Sequence, residues 1–378
     1  GLPMPNGMEV GPDGKLYYPL LGANEIWRID PEGGEPERVA ADLGGPDAVK
    51  FDAQGNIVST QVGSGQVLRI DPRSGETTLL AQLSPGLDNL TFVGDRLFVS
   101  SFTGKVTEIF ANGETSAALP DGLTWPLDLT VGTDGTVYIA DGTFLLALAP
   151  GGELQTLGML FSPGWPGYIR GLIAVGDGEF VVTSSEGQVS RYRPASSESE
   201  LVVDGLGQLY GVAVGSNGTI ATVDLAGGRV YSITGGNAEV VAADLREPID
   251  VAFAPDGALL VAESAAGRIV RVTGSGTDTI VDGLETPHGI LVHNGQLFIV
   301  DVGAKQLVSV DLDTKAREVV AHDLPVGAPP GVTPKPLLGL APFSGPQGPL
   351  AGIAAGPDGT LYVSGDAEGS VLALRKSR

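Results

Sequence analysis

The chain has 378 residues, a formal net charge of −23 and no cysteine. The lack of cysteine excludes disulfides, thiol nucleophiles and thiolate zinc sites. The excess of Asp and Glu argues against nucleic acid and anionic membranes as partners, because affinity for phosphate groups depends on Lys and Arg. We therefore expect a small-molecule substrate, with divalent cations as suitable ligands for so acidic a surface.

No apolar run approaches the ~18 residues that a membrane span requires. The sequence is therefore expected to be soluble, either cytoplasmic or exported after processing, and its oligomeric state stays open. Gly and Pro are abundant, with 57 and 27 residues, and short runs of Val, Ile, Leu and Tyr alternate with them. This composition is typical of an all-β chain with many tight turns.

A repeat of about 40 residues runs through the whole chain, and each copy consists of short apolar strands separated by turns. In the first copy, the strand KLYYPL follows the turn PDG and is itself followed, after a Gly-containing turn, by the strand IWRID. Four short strands per repeat is the pattern of a β-propeller blade. The sequence therefore predicts an all-β propeller in which residues 1–378 form a single domain around one central channel.

Nine copies are found when the repeats are aligned on their first strand and first turn, and eight blades is the alternative, with one copy displaced. The first strands of the nine copies start at Asn6, Asp47, Asp88, Leu127, Arg170, Tyr210, Ile249, His288 and Ala351. The ninth copy has room for only three strands. Because only GLPMP precedes the first copy, ring closure is expected from packing of the last blade on the first, or from a strand within 323–350.

The column of residues at these strand starts is polar along an arc of a single ring. His288, Ala351, Asn6, Asp47 and Asp88 would come from five consecutive blades. Carboxylate and amide oxygens suit a hard divalent cation, so Asn6, Asp47 and Asp88 are predicted metal ligands. His288 is the predicted general base because an unperturbed imidazole titrates near neutrality. The alternative is that these side chains bind channel water or cap turns.

Arg170 and Tyr210 lie further round the same predicted channel mouth. A guanidinium and a phenol in this position could hold a substrate carboxylate or a developing oxyanion, so both are predicted catalytic residues. The alternative is that Arg170 only fills the channel.

Two connections between blades, residues 159–169 and 323–350, are much longer than the others. Long connections in compact folds are often functional, and their aromatic side chains could form an apolar wall beside the channel. The predicted substrate-binding residues are Phe161, Trp165 and Tyr168 of the first connection and Trp125 of a third connection, beside Leu127; Phe343 lies in the second connection. The alternative is that these rings plug the end of a wide channel.

A second polar column ends the second strand of several blades. It contains Asp141, Asp224, Glu263 and Asp301. These carboxylates are predicted to be structural, with each one holding an adjacent turn through backbone N–H groups.

The segments from Asn6 to Gly14 (NGMEVGPDG) and from Asp47 to Asp52 (DAVKFD) resemble the senescence marker protein and gluconolactonase (regucalcin-like) family of six-bladed propellers. The resemblance implies one divalent metal, commonly calcium, held by a Glu, two Asn and an Asp at inner-strand starts. It supports Asn6 and Asp47 best. This chain differs in having more than six repeats, N-G-M in place of E-G-P, and no second Asn in the column. The repeat is also similar, more weakly, to NHL-repeat and virginiamycin-lyase-like propellers.

Together these features predict a metal-dependent hydrolase, similar to a lactonase, that acts on a lactone or ester of a small, partly apolar molecule. Calcium is the expected cation, with magnesium, manganese or zinc as alternatives. Two other functions stay open. One is a non-catalytic propeller that binds a protein or peptide, and the other is a lyase or isomerase that uses the same channel site.

Overall fold

The computed structural model describes residues 2–120, 122–176, 178–329, 331–332, 338–339 and 348–375, so Phe343 lies outside the described residues. In these ranges the only helices are three short 3-10 turns, Leu21–Ala23, Pro194–Ser196 and Ser264–Ala266. None of the helices found in the described ranges has the length and apolar character needed to cross a membrane.

The described strands form nine antiparallel sheets, which we number as blades 1 to 9 in chain order. Blades 1 to 3 contain β1 (Glu9–Val10), β2 (Leu16–Leu20), β3 (Glu25–Ile29), β4 (Glu37–Ala40), β5 (Pro46–Phe51), β6 (Ile57–Gln61), β7 (Gln66–Ile70), β8 (Thr77–Gln82), β9 (Leu87–Val93), β10 (Arg96–Ser101), β11 (Val106–Ile109) and β12 (Thr115–Leu119).

Blades 4 to 6 contain β13 (Pro126–Val131), β14 (Val137–Asp141), β15 (Phe144–Leu148), β16 (Leu154–Met159), β17 (Ile169–Gly176), β18 (Glu179–Ser184), β19 (Val189–Arg193), β20 (Glu198–Val203), β21 (Leu209–Val214), β22 (Ile220–Asp224), β23 (Arg229–Thr234) and β24 (Asn237–Ala242). Blades 7 to 9 contain β25 (Pro248–Phe253), β26 (Leu259–Glu263), β27 (Arg268–Thr273), β28 (Gly276–Val281), β29 (Pro287–His293), β30 (Gln296–Asp301), β31 (Gln306–Asp311), β32 (Arg317–Ala321), β33 (Ile353–Ala355), β34 (Leu361–Gly365) and β35 (Ser370–Leu374). The predicted nine repeats, with a three-stranded last blade, are confirmed.

The chain divides into two compact units, where the sequence predicts one ring over residues 1–378. Unit 1 is Gly1–Gly122 and contains blades 1 to 3, and unit 2 is Leu123–Arg378 and contains blades 4 to 9.

Unit 2 is a closed ring of six blades. Its inner strands β13, β17, β21, β25, β29 and β33 pack on one another in this order, and β33 packs back on β13. At the closing contact, Gly352 N donates a hydrogen bond to Leu127 O at 3.0 Å, and Ser364 Oγ donates to the same carbonyl. The last blade therefore closes on blade 4, whereas the sequence predicted closure on blade 1. No described residue of 323–350 adds a strand to blade 9.

The close approach of inner strands in unit 2 depends on one glycine column. A Cβ atom on Gly289 would lie 2.4 Å from Ala351 O, and one on Gly171 would lie 2.5 Å from Tyr210 O. Such distances are shorter than real Cβ atoms allow, so the absence of a side chain here permits the contact between blades. The repeat pattern marks these glycines only as strand residues, because their role in closure depends on contacts between distant repeats.

Unit 1 is an open row of three blades. Strand β5 packs on β1 and β2, and β9 packs on β5 and β6. Separate apolar clusters fill the two contacts, with Tyr17, Ile26 and Val49 in the first and Ala48, Leu90 and Val99 in the second. Among the described residues, no packing of comparable extent joins β9 back to β1.

The second polar column has the structural role that the sequence predicts. Asp141 accepts hydrogen bonds from Thr124 N at 2.9 Å and Trp125 N at 2.6 Å. Asp224 accepts from Gln208 N, and Glu263 accepts from Arg246 N. Each carboxylate therefore anchors the connection that leads into its own blade.

Replacement of Asp301 tests this anchoring role. Asp301 is 2% exposed and accepts from Glu285 N at 3.0 Å and Thr286 N at 2.8 Å. We expect Asp301→Ala to lower the free energy of unfolding by about 3 kcal/mol, because two backbone donors lose a charged acceptor. Urea unfolding measures the change, with the exposed Asp278→Ala as control. Equal stability of the two variants would contradict the anchoring role.

Candidate functional site

The three predicted metal ligands lie together in unit 1, and we call them the Asn6 triad. Asn6 Nδ2 donates a hydrogen bond to Asp47 Oδ1, and the Asp88 carboxyl is close enough to raise the pKa of Asp47. Asp47 is 3% exposed, Asp88 is half-buried and Asn6 is exposed. The triad therefore combines two carboxyl groups with an amide whose N–H group faces Asp47, and it is open to solvent at Asn6 and partly at Asp88.

Hydrogen bonds between neighbouring blades hold the triad together. Gly7 N donates to Asp47 O at 3.1 Å, which joins blade 1 to blade 2. Thr60 Oγ1 donates to Asp88 O at 2.6 Å, which joins blade 2 to blade 3. Each triad residue either takes part in one of these hydrogen bonds or precedes a residue that does. The three side chains therefore meet where the inner strands of blades 1 to 3 begin.

The triad carries two carboxylates in a partly desolvated position. Burial, followed by the negative charge of Asp88, raises the pKa of Asp47 to about 7, and the hydrogen bond from Asn6 opposes this rise. No cation is among the groups that shift this pKa. In the described part of the chain, no group of three or more His, Asp or Glu side chains is arranged to hold a metal ion. A cation site here would therefore combine two carboxylates with the Asn6 amide.

Arg170, near the start of the inner strand β17, is buried within a set of aromatic side chains. Its guanidinium carbon lies 5.1 Å from the Trp125 ring centre and 5.3 Å from that of Tyr210, within the range of cation–π attraction. Arg170 is 0% exposed, and burial lowers its pKa. Burial also raises the pKa values of Tyr210 and Tyr168. We call Arg170, Trp125, Tyr168 and Tyr210 the Arg170 box.

His288 belongs to the same ring as the Arg170 box and not to unit 1. It is 5% exposed, and Ala351 N donates to its Nδ1 at 3.4 Å. Burial lowers the pKa of His288 to about 4, so its imidazole is neutral at pH 7. The predicted arc from His288 through Asn6 to Asp88 is thus divided between two units, because the ring closes after six blades and Ala351 adjoins Leu127.

The four predicted substrate-binding residues separate into two groups. Trp125 and Tyr168 are part of the Arg170 box. Trp165 packs edge-to-face on Tyr192 of β19, with ring centres 5.8 Å apart. Phe161 is half-buried on the same connection as Trp165. Trp165 therefore covers the outer part of blade 5, and the structure does not place it against the Arg170 guanidinium.

Asp128 and Asp250, two carboxylates on inner strands of unit 2, are not among the residues that the sequence pattern singles out. Asp128 Oδ2 accepts from Leu172 N of the next blade at 2.8 Å, and Asp250 Oδ2 accepts from Ile290 N at 2.8 Å. Burial raises the pKa of Asp128 to about 7, and burial together with the charge of Asp128 raises the pKa of Asp250. The signal in the sequence is P-L-D-L and P-I-D-V at equivalent positions three blades apart.

The nine antiparallel sheets and the six-membered ring define the chain as a β-propeller protein. No family model and no curated protein matches it. Similar solved structures include a streptogramin B lyase, with 15% identity, coverage of 97% of this chain and 91% of that chain, and a TM-score of 0.32.

Two further similar structures are a putative oxidoreductase (glucose dehydrogenase) from Thermus thermophilus and a nidogen/laminin complex. The first has 19% identity, coverage of 67% of this chain and 97% of that chain, and a TM-score of 0.49. The second has 18% identity, coverage of 57% and 89%, and a TM-score of 0.47. These similarities concern the fold alone. The resemblance to the regucalcin-like family has no support at family level and stays a prediction.

Proposed function

We propose that the Asn6 triad binds a divalent cation and that the chain hydrolyses a lactone or ester with its help. The observation that carries this proposal is the placement of the nearly buried Asp47 carboxylate beside Asp88 and the Asn6 amide. Two neighbouring carboxylates repel each other when both are ionised. A cation would remove that repulsion, and its binding would favour the charged form of both groups.

The chemistry of the three side chains fits calcium. Hard cations take carboxylate and amide oxygens as ligands, and rotation of the Asn6 amide would turn its oxygen towards Asp47. Magnesium, manganese and zinc are the alternatives to test. When bound, the cation would polarise the carbonyl group of the substrate.

The residues of the triad would divide the other tasks according to their exposure. Asp47, which is 3% exposed, would fix the position of the cation. Asp88 is half-buried and is the carboxylate better placed to accept a proton from an attacking water. His288 is not assigned the role of base, because it belongs to unit 2 and is neutral and buried at pH 7.

Cation binding is tested on protein stripped with EDTA. We expect calcium to raise the melting temperature of the wild type and to give a saturable heat signal in calorimetry. Asp47→Asn and Asp88→Asn should weaken this binding at least tenfold, because each variant removes one negative charge from the ligand set. The matched control is Asp95→Asn, an exposed carboxylate in the hairpin of the same blade as Asp88. Absence of a response to calcium, magnesium, manganese and zinc would overturn the proposal.

Hydrolysis is tested separately with a panel of aliphatic and aryl lactones and p-nitrophenyl esters. The expected result is turnover that EDTA abolishes and the preferred cation restores, with loss of turnover in Asp88→Asn. Cation binding without turnover of any member would favour the non-catalytic alternative. Product analysis separates hydrolysis from the lyase or isomerase alternative, which would use Arg170 and Tyr210 of unit 2.

A further inference from the structure

We propose that unit 1 is half of a propeller and that it completes a six-bladed ring with unit 1 of a second copy of this chain. The two copies would be related by a two-fold axis. Blade 3 of each copy would pack on blade 1 of the other. The proposal goes beyond the suggested hydrolysis and does not depend on cation binding.

The order of blade types in unit 2 supports this pairing. The first two strands are separated by two positions in blades 5 and 8, where the first strand ends at Gly176 and His293, and by five positions in the other four blades. Short hairpins therefore recur at every third blade of the closed ring. In unit 1, only blade 3 has the short hairpin, at residues 94–95. Two copies of unit 1 placed end to end reproduce the cyclic order of unit 2.

The face of blade 3 that points away from blade 2 matches a buried face in unit 2. Phe98 pairs with Thr91 across strands β10 and β9, as Phe298 pairs with Leu291 in blade 8. Phe298 packs on the apolar cluster that contains Ile353 of blade 9. No blade follows blade 3 within unit 1, where Thr91 is exposed and Phe98 is half-buried.

Val93 extends the same open face of blade 3. It is 58% exposed, whereas its counterpart in blade 5, Val175, packs on the cluster that contains Val212 of blade 6. The short-hairpin blades of unit 2 thus use this face to bind the blade that follows. The equivalent face of blade 3 is available for the same contact.

Blade 1 offers the complementary apolar face. Met8 and Val10 are 53% and 58% exposed, and Trp27 of β3 is half-buried. The strand register aligns Met8 with Val212 and Trp27 with Tyr231 of blade 6. Val212 and Tyr231 both belong to the cluster between blades 5 and 6. Blade 1 therefore carries apolar side chains at the positions that blade 6 uses to receive blade 5.

Asn89 supplies a polar link at the axis. The register of β9 with β10 places Asn89 at the position of Asp128 and Asp250. Each of those carboxylates accepts a hydrogen bond from the next inner strand, at Leu172 N and Ile290 N. In one copy the amide oxygen of Asn89 lies 3.5 Å from the position that a Cβ atom on Gly7 would take. Rotation of the side chain would let this oxygen accept from the corresponding donor, Met8 N, of the second copy.

Closure by a second copy buries two equivalent contacts at once. Each copy contributes one blade 3 face and one blade 1 face, which is the self-complementary arrangement that two-fold symmetry requires. The same closure would bring the two Asn6 triads to opposite sides of one axial channel.

The mass of the full chain in solution is the first test. Multi-angle light scattering and sedimentation equilibrium, in EDTA and in calcium, should give twice the chain mass of 38.6 kDa at micromolar concentration. Val93→Glu and Met8→Glu should each weaken association at least tenfold, because each places a charge within an apolar contact. Val240→Glu is the control, since Val240 is 52% exposed on the outer strand of blade 6.

Cross-linking tests the geometry of the pair, and the absence of native cysteine makes its result simple to interpret. One preparation carries Val93→Cys and a second carries Val10→Cys, because Val10 aligns with Val214, which packs on the same cluster as Val175. On oxidation, covalent dimers should form when the two preparations are mixed and not in either one alone, because blade 3 of one copy meets blade 1 of the other. A monomer at all concentrations overturns the proposal, and so does cross-linking within a single preparation. Because the dimer should form in EDTA as well as in calcium, this test does not depend on whether the Asn6 triad binds a cation.

Discussion

The stability of unit 2 should fall by about 3 kcal/mol as the pH rises from 4 to 7, because of Asp128. Its carboxyl has a pKa of about 7 in the folded chain, against an ordinary value of 3.8. A carboxyl with a raised pKa in the folded state stabilises that state below its unfolded pKa, and the stabilisation is lost as the pH rises through the folded value. Each pKa unit corresponds to about 1.4 kcal/mol, and roughly 3 kcal/mol of the total effect falls between pH 4 and pH 7, because both titrations extend beyond this range.

The physical cause is the crowding of two acids along the ring axis. Burial is the largest effect on both Asp128 and Asp250, and the charge of Asp128 further raises the pKa of Asp250. Hydrogen bonds from backbone N–H groups act in the opposite direction but are weaker than the desolvation. Ionisation of Asp250 should therefore also lower the stability of unit 2 as the pH rises.

Urea unfolding between pH 4 and pH 8 measures the effect, with tryptophan fluorescence as the signal. A Trp27→Phe background confines that signal to unit 2, because the other two tryptophans, Trp125 and Trp165, both belong to it. We expect Asp128→Asn to reduce the dependence of stability on pH, and Asp278→Asn, an exposed control in blade 7, to leave it unchanged. An unaltered pH dependence in Asp128→Asn would show that this carboxyl is ionised throughout.

The blades themselves could be predicted from the sequence because their determinants are local. A strand such as Leu16–Leu20 and the turn before it are specified within a few residues, and the repeat multiplies that signal. The number of blades in a ring depends instead on contacts between repeats. Nothing local to Gly289 indicates that its missing side chain admits Ala351 O of the next blade. For this reason the repeat pattern alone predicts one ring over residues 1–378, whereas contacts between repeats group the blades into two compact units.

The candidate site shows the same division between local and distant determinants. The column of strand starts was predicted in the correct register, so Asn6, Asp47 and Asp88 were grouped as the structure groups them. The predicted arc includes His288 only if the last blade adjoins the first, and the last blade packs on blade 4 instead. Asp128 and Asp250 were missed because each looks like an isolated acid in an apolar strand, and only the three-blade spacing relates them.

Replacement of Arg170 by Ala should lower the free energy of unfolding of unit 2 by about 3–5 kcal/mol. The side chain is 0% exposed and its guanidinium lies near the rings of Trp125 and Tyr210. Truncation removes the cation–π contacts and leaves a cavity between the two rings, and cavities left by large buried side chains carry penalties of this size. Urea unfolding in the Trp27→Phe background measures the loss.

Arg170→Met separates the contribution of side-chain packing to stability from that of the positive charge. Methionine fills most of the same volume and requires no desolvation of a cation, and buried charges replaced by apolar side chains often leave stability unchanged. Glu186, whose charge acts on the Arg170 pKa, is exposed, so the variant leaves no buried carboxylate behind. We therefore expect Arg170→Met to lie within about 1.5 kcal/mol of the wild type. A loss as large as that of Arg170→Ala would mean that the charge itself holds the box together. In that case Arg170→Lys, which keeps the charge but not the planar group, should recover part of the stability.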